Sequence, residues 1–249
     1  MKKSKYEKDN MVNVTIDNKK FQAEEGSTIL QAARNNGIEI PTLCHHDELT
    51  ASGSCRLCSV EIRKGERTRI VTSCIYQVEE GLNVTTHSER VMNVRGLVLQ
   101  LLMARCPASE IIRELADKMD VKPQARFKPD EDKGKCILCR QCVEVCEEVV
   151  GVSAIGFSYR GTDKSVGTPF AEPSRACIGC GACAYACPTG HIEMEESESG
   201  DERIIWGKTF KMVACKECGR YFAPQEQLEY IGKKTGVPLG KLYTCVDCR

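Results

Sequence analysis

The sequence predicts an α+β protein assembled from small units that hold metal through cysteine. Three observations support this: apolar and polar residues alternate as in strands near the N-terminus, an apolar stripe recurs at helical spacing further along, and 17 of 249 residues are cysteines, most of them closely grouped. Thiolates grouped in this way are typical metal ligands in a reducing compartment, whereas a secreted disulfide scaffold is smaller and carries a signal sequence.

The composition argues against several other classes of protein. Lysine and arginine (35) balance aspartate and glutamate (35), so there is no basic excess to bind nucleic acid. The longest apolar run, at 96–104, is too short to span a membrane and is interrupted by Gln100. No apolar segment follows the charged N-terminus, so no signal peptide is expected. We therefore expect a cytoplasmic protein with no nucleic-acid partner and no membrane span.

Residues 11–87 are predicted to form a small α+β domain with a mixed sheet. The expected elements are, in order, a strand at 12–16, a turn at 17–20, a strand at 21–25, a short helix capped by Ser27 and ending before Gly37, and strands at 59–63 and 69–72.

This domain carries the first candidate metal site, formed by Cys44, Cys55, Cys58 and Cys74, with ten, two and fifteen residues between them. Small residues at 51–54 would let backbone N–H groups approach the sulfurs. The segment PTLCHHDELTASGSCRLCSVEI resembles the β-grasp ferredoxin-like domain of the large iron–sulfur subunits of respiratory complex I and NAD-linked hydrogenases. The resemblance implies one [2Fe–2S] cluster on these four cysteines. A zinc knuckle is the alternative, although such sites generally pair two CxxC units.

Residues 88–125 are predicted to be a helical connector. Ser88 and Ser109 are suited to cap two amphipathic helices, which Pro107 separates. In the family just named, this region holds a [4Fe–4S] site made of one histidine and three cysteines. Here it contains one cysteine, Cys106, and no histidine, so we expect that cluster to be absent and Cys106 to be a buried thiol.

Residues 126–200 contain an internal repeat that resembles the bacterial two-cluster ferredoxin domain. Each half has cysteines separated by two, two and three residues, and the fourth cysteine of such a run ligates the other cluster. One [4Fe–4S] cluster is therefore assigned to Cys136, Cys139, Cys142 and Cys187, and the second to Cys177, Cys180, Cys183 and Cys146. Glu147 stands where the second half has Pro188, which predicts a longer helix after the first half. The stretch that joins the halves also resembles the ferredoxin-like domain of iron-only hydrogenases.

Residues 201–249 carry two CxxC pairs, Cys215 with Cys218 and Cys245 with Cys248. Two such pairs on a small unit are typical of tetrahedral Zn²⁺ coordination, and the residues after the first pair resemble those of zinc ribbons. We predict one structural Zn²⁺ in a zinc-ribbon-like unit, and an additional iron–sulfur cluster remains the alternative. The acidic run 193–202 is expected to be a solvated linker.

These resemblances imply an electron-relay subunit of a multi-subunit NAD(P)-linked oxidoreductase, with no catalytic centre of its own. A hydrogenase, including an electron-bifurcating one, is the preferred complex, and a formate dehydrogenase or transhydrogenase is the alternative. The implied partners are a flavin and NAD(P)-binding subunit, a catalytic-metal subunit and soluble ferredoxin. A free-standing polyferredoxin is a competing class, although it would need neither the β-grasp domain nor the terminal ribbon. A redox-sensing regulator would need an effector or nucleic-acid module, which the sequence does not show.

Overall fold

A computed structural model describes residues 11–129 and 134–249. Within those residues, no helix has the length and apolar character needed to cross a membrane. The chain divides into two compact units, with unit 1 ending at Cys139 and unit 2 beginning at Arg140.

Unit 1 contains a mixed five-stranded sheet in the order β2-β1-β5-β3-β4. Its strands are β1 (Met11–Ile16), β2 (Lys19–Glu24), β3 (Ser59–Lys64), β4 (Arg67–Thr72) and β5 (Leu82–Thr85). β1 and β5 are parallel, and the other neighbouring strands are antiparallel. This is the β-grasp arrangement that the resemblance implied. The strand β5, which joins the two hairpins, was not predicted.

The first helix packs into the core of this sheet. α1 (Ile29–Asn35) begins at Thr28, whose hydroxyl accepts from the Gln31 backbone N–H while the Gln31 side chain accepts from the Thr28 N–H. The predicted cap at Ser27 was wrong by one residue, because the Ser27 hydroxyl donates to the Glu24 carbonyl instead. Gly37 follows the helix end in the left-handed conformation, as predicted.

The core of the sheet domain follows from the alternation of its strands. Val14 and Ile16 of β1 and Val60 and Ile62 of β3 are buried with the apolar face of α1. Each side chain of this size contributes about 1.5–3 kcal/mol when fully buried. The cysteines at the end of the sheet therefore lie next to a well-packed hydrophobic core.

Two helices complete the described part of unit 1. Ser88 caps α2 (Glu89–Arg105) through the Val91 N–H, as predicted. α3 (Glu110–Lys118) begins after Ser109, but the Ser109 side chain makes no capping hydrogen bond. Cys106 ends α2 and is buried, as predicted.

Unit 2 begins with α4 (Gln141–Glu144), which continues directly into a π-helical segment, Val145–Val150. The second half of the repeat has only α5 (Ala182–Tyr185), which ends before Pro188. The longer helix expected after the first half is thus confirmed. Between them lie a two-stranded hairpin and two short 3₁₀ turns: β6 (Gly156–Ser158), β7 (Ser165–Gly167), Gly161–Asp163 and Pro169–Ala171.

The rest of unit 2 is an antiparallel sheet in the order β11-β10-β9-β8, with two helices. Its elements are β8 (Met194–Glu196), β9 (Glu202–Ile205), β10 (Lys208–Ala214), β11 (Tyr221–Pro224), α6 (Gln225–Thr235) and α7 (Leu239–Leu242). β8 pairs with β9, so the acidic run 193–202 forms a hairpin. The expectation of a linker was wrong, because strand pairing orders this run, whereas its acidic side chains are exposed to solvent as expected.

Candidate metal centres

Four cysteines of unit 1 lie together at one end of its sheet. Cys44 and Cys55 are on the loop between α1 and β3, Cys58 immediately precedes β3, and Cys74 follows β4. All four are at most 7% exposed. A buried set of thiols from three separate segments is a suitable site for a metal centre, which releases the thiol protons when it binds.

The sulfurs of this set fall into two pairs. Cys58 Sγ lies 3.3 Å from Cys74 Sγ, close to the edge of about 3.8 Å that four metal–sulfur bonds of about 2.3 Å give in a tetrahedron. Hydrogen bonding from Cys74 lowers the pKa of Cys58 to about 6, and hydrogen bonding from Cys55 lowers the pKa of Cys44 to about 5. The pKa values of Cys55 and Cys74 are raised in return. Two sulfur pairs fit a two-iron centre with one pair on each iron.

The boundary between the two units falls within the first half of the repeat, after its second cysteine. Cys136 and Cys139 are the last cysteines of unit 1, where the Leu138 N–H donates to Cys136 Sγ at 3.4 Å. The Cys106 thiol donates to the Cys136 carbonyl at 3.1 Å. The assignment of Cys136, Cys139, Cys142 and Cys187 to one cluster stays a prediction.

The cysteines assigned to the second [4Fe–4S] cluster all line one cavity of unit 2. They are Cys146, Cys177, Cys180 and Cys183. Apolar side chains complete the wall, and burial raises the pKa of Cys183 to about 11 and also raises the pKa values of Cys177 and Cys180. The Ala154 N–H donates to Cys146 Sγ at 3.3 Å. These four residues fit a single buried anionic centre, and N–H donors of this kind tune its potential.

A close backbone approach shapes the loop of this cavity. Gly179 has φ +70°, and a Cβ there would lie 2.6 Å from the ring of Phe210, which is fully buried in β10. Only glycine therefore fits between the cysteine loop and the sheet. Two cations hold the same loop: Arg203 donates to the Gly179 carbonyl at 3.0 Å and Lys208 to the Cys177 carbonyl at 2.8 Å.

The two C-terminal CxxC pairs are brought together, as their pattern suggested. The sulfurs of Cys215, Cys218, Cys245 and Cys248 all lie within 4.8 Å of one another. One tetrahedral ion with bonds of about 2.3 Å needs sulfurs about 3.8 Å apart. The ligands of a [4Fe–4S] cluster bind four different irons and lie farther apart. The spacing therefore fits one ion.

The electrostatics of this set also fit a metal. The Cys245 N–H donates to Cys215 Sγ at 3.3 Å and lowers the pKa of Cys215 to about 6, whereas hydrogen bonding with Cys245 and Cys218 raises the pKa of Cys248 to about 12. Arg220 pairs with Asp247 and reaches Cys245 Sγ at 3.7 Å.

Comparison with known families assigns two domains. Residues 9–89 match the "2Fe-2S iron-sulfur cluster binding domain", and residues 176–223 match the "4Fe-4S dicluster domain". The first match contains all four cysteines of the unit 1 site. The second contains the cysteines of the second repeat half together with Cys215 and Cys218, and it does not include the first repeat half.

The chain is an iron–sulfur protein. It is 33% identical over 204 residues to the NADPH-Fe(3+) oxidoreductase subunit alpha of Geobacter sulfurreducens, covering 73% of this chain and 24% of that one. It is 31% identical over 239 residues to the NADP-reducing hydrogenase subunit HndD of Solidesulfovibrio fructosivorans, covering 82% and 40%. A chain in the crystal structure of an NAD+-reducing [NiFe]-hydrogenase superposes with a TM-score of 0.55 at 29% identity, covering 63% and 74%.

A chain of the NADH-quinone oxidoreductase of Rhizobium meliloti is a further relative, 33% identical over 206 residues, covering 73% of this chain and 24% of that one. The resemblance to the iron–sulfur modules of hydrogenase and complex I-type subunits is thus confirmed. This iron–sulfur protein spans between a quarter and two fifths of the length of these curated relatives.

Several residues at these centres were missed by the sequence analysis. Trp206, the single tryptophan of the chain, donates its indole N–H to Cys183 Sγ at 3.4 Å. Arg203, Lys208 and Arg220 were not predicted to contact any of the centres. A lone tryptophan beside a cysteine repeat was the one signal available in the sequence, since the arginines and lysines are brought to the cysteines by long-range strand pairing.

Replacing Gly179 by Ala should expel the second [4Fe–4S] centre, because the new Cβ cannot fit beside the Phe210 ring. We expect the iron content to fall by about four atoms per chain. Gly236→Ala is the matched control, since Gly236 has a similar φ of +73° but no atom within 4 Å of the new Cβ. It should cost about 1–2 kcal/mol of backbone strain and leave iron unchanged. Equal iron in the two variants would contradict the close approach.

Replacing Cys58 by Ala should abolish the [2Fe–2S] EPR signal and remove about two irons per chain, because Cys74 loses its partner on one iron. Cys106→Ala is the control, since both thiols are 1% exposed. Metal analysis of the control should match the unmodified protein. Loss of iron from Cys106→Ala would show that this thiol is a ligand.

Proposed function

We propose that this chain is an electron-relay subunit of a multi-subunit NAD(P)-linked oxidoreductase, and that the complex is a hydrogenase. The observation that supports this proposal most directly is that the relatives of the chain have different named activities. By their names, three relatives use different electron donors or acceptors: a hydrogenase, a quinone oxidoreductase and an Fe(3+) oxidoreductase. Each of them nevertheless matches most of the length of this chain. What they share with it is the iron–sulfur module, and a shared module among different reactions is suited to passing electrons rather than to catalysis.

The residues proposed to hold the centres are those whose patterns predicted them. We assign [2Fe–2S] to Cys44, Cys55, Cys58 and Cys74; one [4Fe–4S] to Cys136, Cys139, Cys142 and Cys187; a second to Cys177, Cys180, Cys183 and Cys146; and Zn²⁺ to Cys215, Cys218, Cys245 and Cys248. We also propose the predicted four-part division: a β-grasp domain, a helical connector, a two-cluster ferredoxin domain and a zinc-ribbon-like unit at 11–87, 88–125, 126–200 and 201–249.

Bound iron–sulfur clusters supply one-electron transfer, and the chain supplies the conditions for it. Burial of the sulfurs excludes water. Backbone N–H groups of Cys55, Ala154 and His191 donate to cysteine sulfurs at 3.2–3.3 Å and stabilise their negative charge. The zinc site has no redox role and contributes to folding.

The partners follow from the same argument. A flavin and NAD(P)-binding subunit, a catalytic-metal subunit and soluble ferredoxin would give and take the electrons, and bifurcation would be a property of the flavin subunit. We place the complex in the cytoplasm, because reduced, closely grouped thiols are typical of that compartment. A formate dehydrogenase or transhydrogenase complex would use the relay in the same way.

An additional iron–sulfur cluster at the C-terminal cysteines is the second candidate for that site, because the dicluster match extends over Cys215 and Cys218. The sulfur spacing within 4.8 Å favours the single zinc ion.

Metal analysis of anaerobically purified protein tests these assignments. We expect two plus four plus four irons, about ten per chain, and about one zinc. About fourteen irons without zinc would replace the zinc site by a third [4Fe–4S] cluster. Material with no iron and no acid-labile sulfide would overturn the electron-relay function itself.

Native mass spectrometry of the anaerobic extract tests the partners. We expect the chain in complexes with a flavin subunit and a hydrogenase subunit. The chain found only as a lone 27.7 kDa species would favour the free-standing polyferredoxin. Co-purification with a formate dehydrogenase subunit instead would favour the alternative complex.

A further inference from the structure

One arginine of unit 1 is buried in the core beside the first candidate metal centre. Arg95 lies in the middle of α2 and is 1% exposed, which makes it the largest fully buried side chain among the described residues. Its Nε and Nη2 both donate to the Ser59 carbonyl, at 3.1 and 2.7 Å. Ser59 is the first residue of β3 and follows Cys58 directly in the chain.

The charge of Arg95 needs a counter-charge. A guanidinium stays protonated even where burial lowers its pKa, and an unpaired buried charge is very costly. Among the residues that the structure describes, no carboxylate lies within ion-pair distance of Arg95. The negative groups whose charge acts on it are the Cys58 sulfur and Asp17. The Asp17 carboxylate accepts hydrogen bonds from the backbone N–H and the hydroxyl of Thr86.

A second arginine on the same helix shows the contrast. Arg90 also reaches β3, where its Nη1 lies 2.6 Å from the Glu61 carboxylate. Its side chain is 59% exposed, so its charge is both paired and screened by water. Of these two arginines, Arg95 is the one that is buried and has no carboxylate of the described residues within ion-pair distance.

We propose that Arg95 is a positioning residue that stabilises the reduced form of the [2Fe–2S] centre on Cys44, Cys55, Cys58 and Cys74 through its buried charge. This inference rests on the proposed function. Adding one electron makes the whole centre one unit more negative, and the charge of Arg95, held at the Ser59 carbonyl next to Cys58, acts on it through a medium of low dielectric constant. Arg95 therefore raises the affinity of the centre for its electron.

The test is a dithionite titration of the full chain, followed by the EPR signal of the reduced [2Fe–2S] centre. In Arg95→Met, we expect the ratio of reduced to oxidised centre at a given potential to fall about tenfold, a decrease of about 59 mV in midpoint potential. Arg95→Lys keeps a positive charge and should retain most of the potential. Arg90→Met is the matched control on the same helix and should leave the potential unchanged.

Asp17→Asn provides a test that does not touch the core arginine. Removing the other negative charge that acts on Arg95 makes the surroundings more positive, so the midpoint potential should rise. Because this rise is expected with or without Arg95, the variant shows only that charge on this side reaches the centre. Arg95→Gln keeps a donor for the Ser59 carbonyl without the charge, and a lower midpoint potential in it decides the question if Arg95→Met fails to fold.

The outcomes are distinguishable. An unchanged potential in Arg95→Met or in Arg95→Gln, or equal decreases in Arg95→Met and Arg95→Lys, would overturn the role of the buried charge while leaving the centre in place. Absence of the EPR signal from the unmodified protein would instead overturn the proposed function. A lower midpoint potential in Arg95→Met, with most of the potential retained in Arg95→Lys, would support the inference.

Discussion

The structure depends on holding negatively charged sulfurs together where water is scarce. Four thiolates repel one another, and burial raises the free energy of each. The chain offsets both costs with short segments whose backbone N–H groups point at sulfur, such as Cys55 toward Cys44 and His191 toward Cys187. These segments need close backbone approach, which explains why Gly179 packs directly on a buried phenylalanine ring. The small sheets serve mainly as rigid bases for these loops.

Much of this arrangement could be predicted because its causes are local. Alternation of Val12, Val14 and Ile16 determines which face of β1 is buried, and cysteine spacing determines which sulfurs a tight loop can bring together. The helix start was wrong by one residue for a local reason as well. Ser27 and Thr28 are both good caps, and the difference lies in Gln31, which can complete a capping box only with Thr28.

The parts that escaped prediction depend on pairing between distant segments. β5 is a short strand whose position between β1 and β3 is determined by both neighbours. The acidic run resembled a linker, yet it pairs as a hairpin in which Met194 lies opposite Ile205 and Glu196 lies opposite Arg203. Trp206 and Arg203 reach the second repeat half only because β9 lies beside its loop. No local sequence pattern predicts these contacts.

Positively charged side chains lie close to the candidate centres, where the negative charge of the thiolates is concentrated. Arg95 donates to the carbonyl of the residue after Cys58, Lys208 and Arg203 donate to carbonyls of the Cys177–Cys180 loop, and Arg220 reaches Cys245. Each cation binds at or beside a cysteine, and salt screens the buried ones much less than the exposed Arg220. The cations differ in burial: Arg95 and Arg203 are enclosed, whereas Arg220 is open to water. Because a charge acts more strongly in a dry environment, and because Arg203 is already paired with the Glu196 carboxylate, Arg95 is the one of these four cations whose charge is best placed to act on a redox centre, whereas the exposed Arg220 is suited to a site that only has to hold its metal.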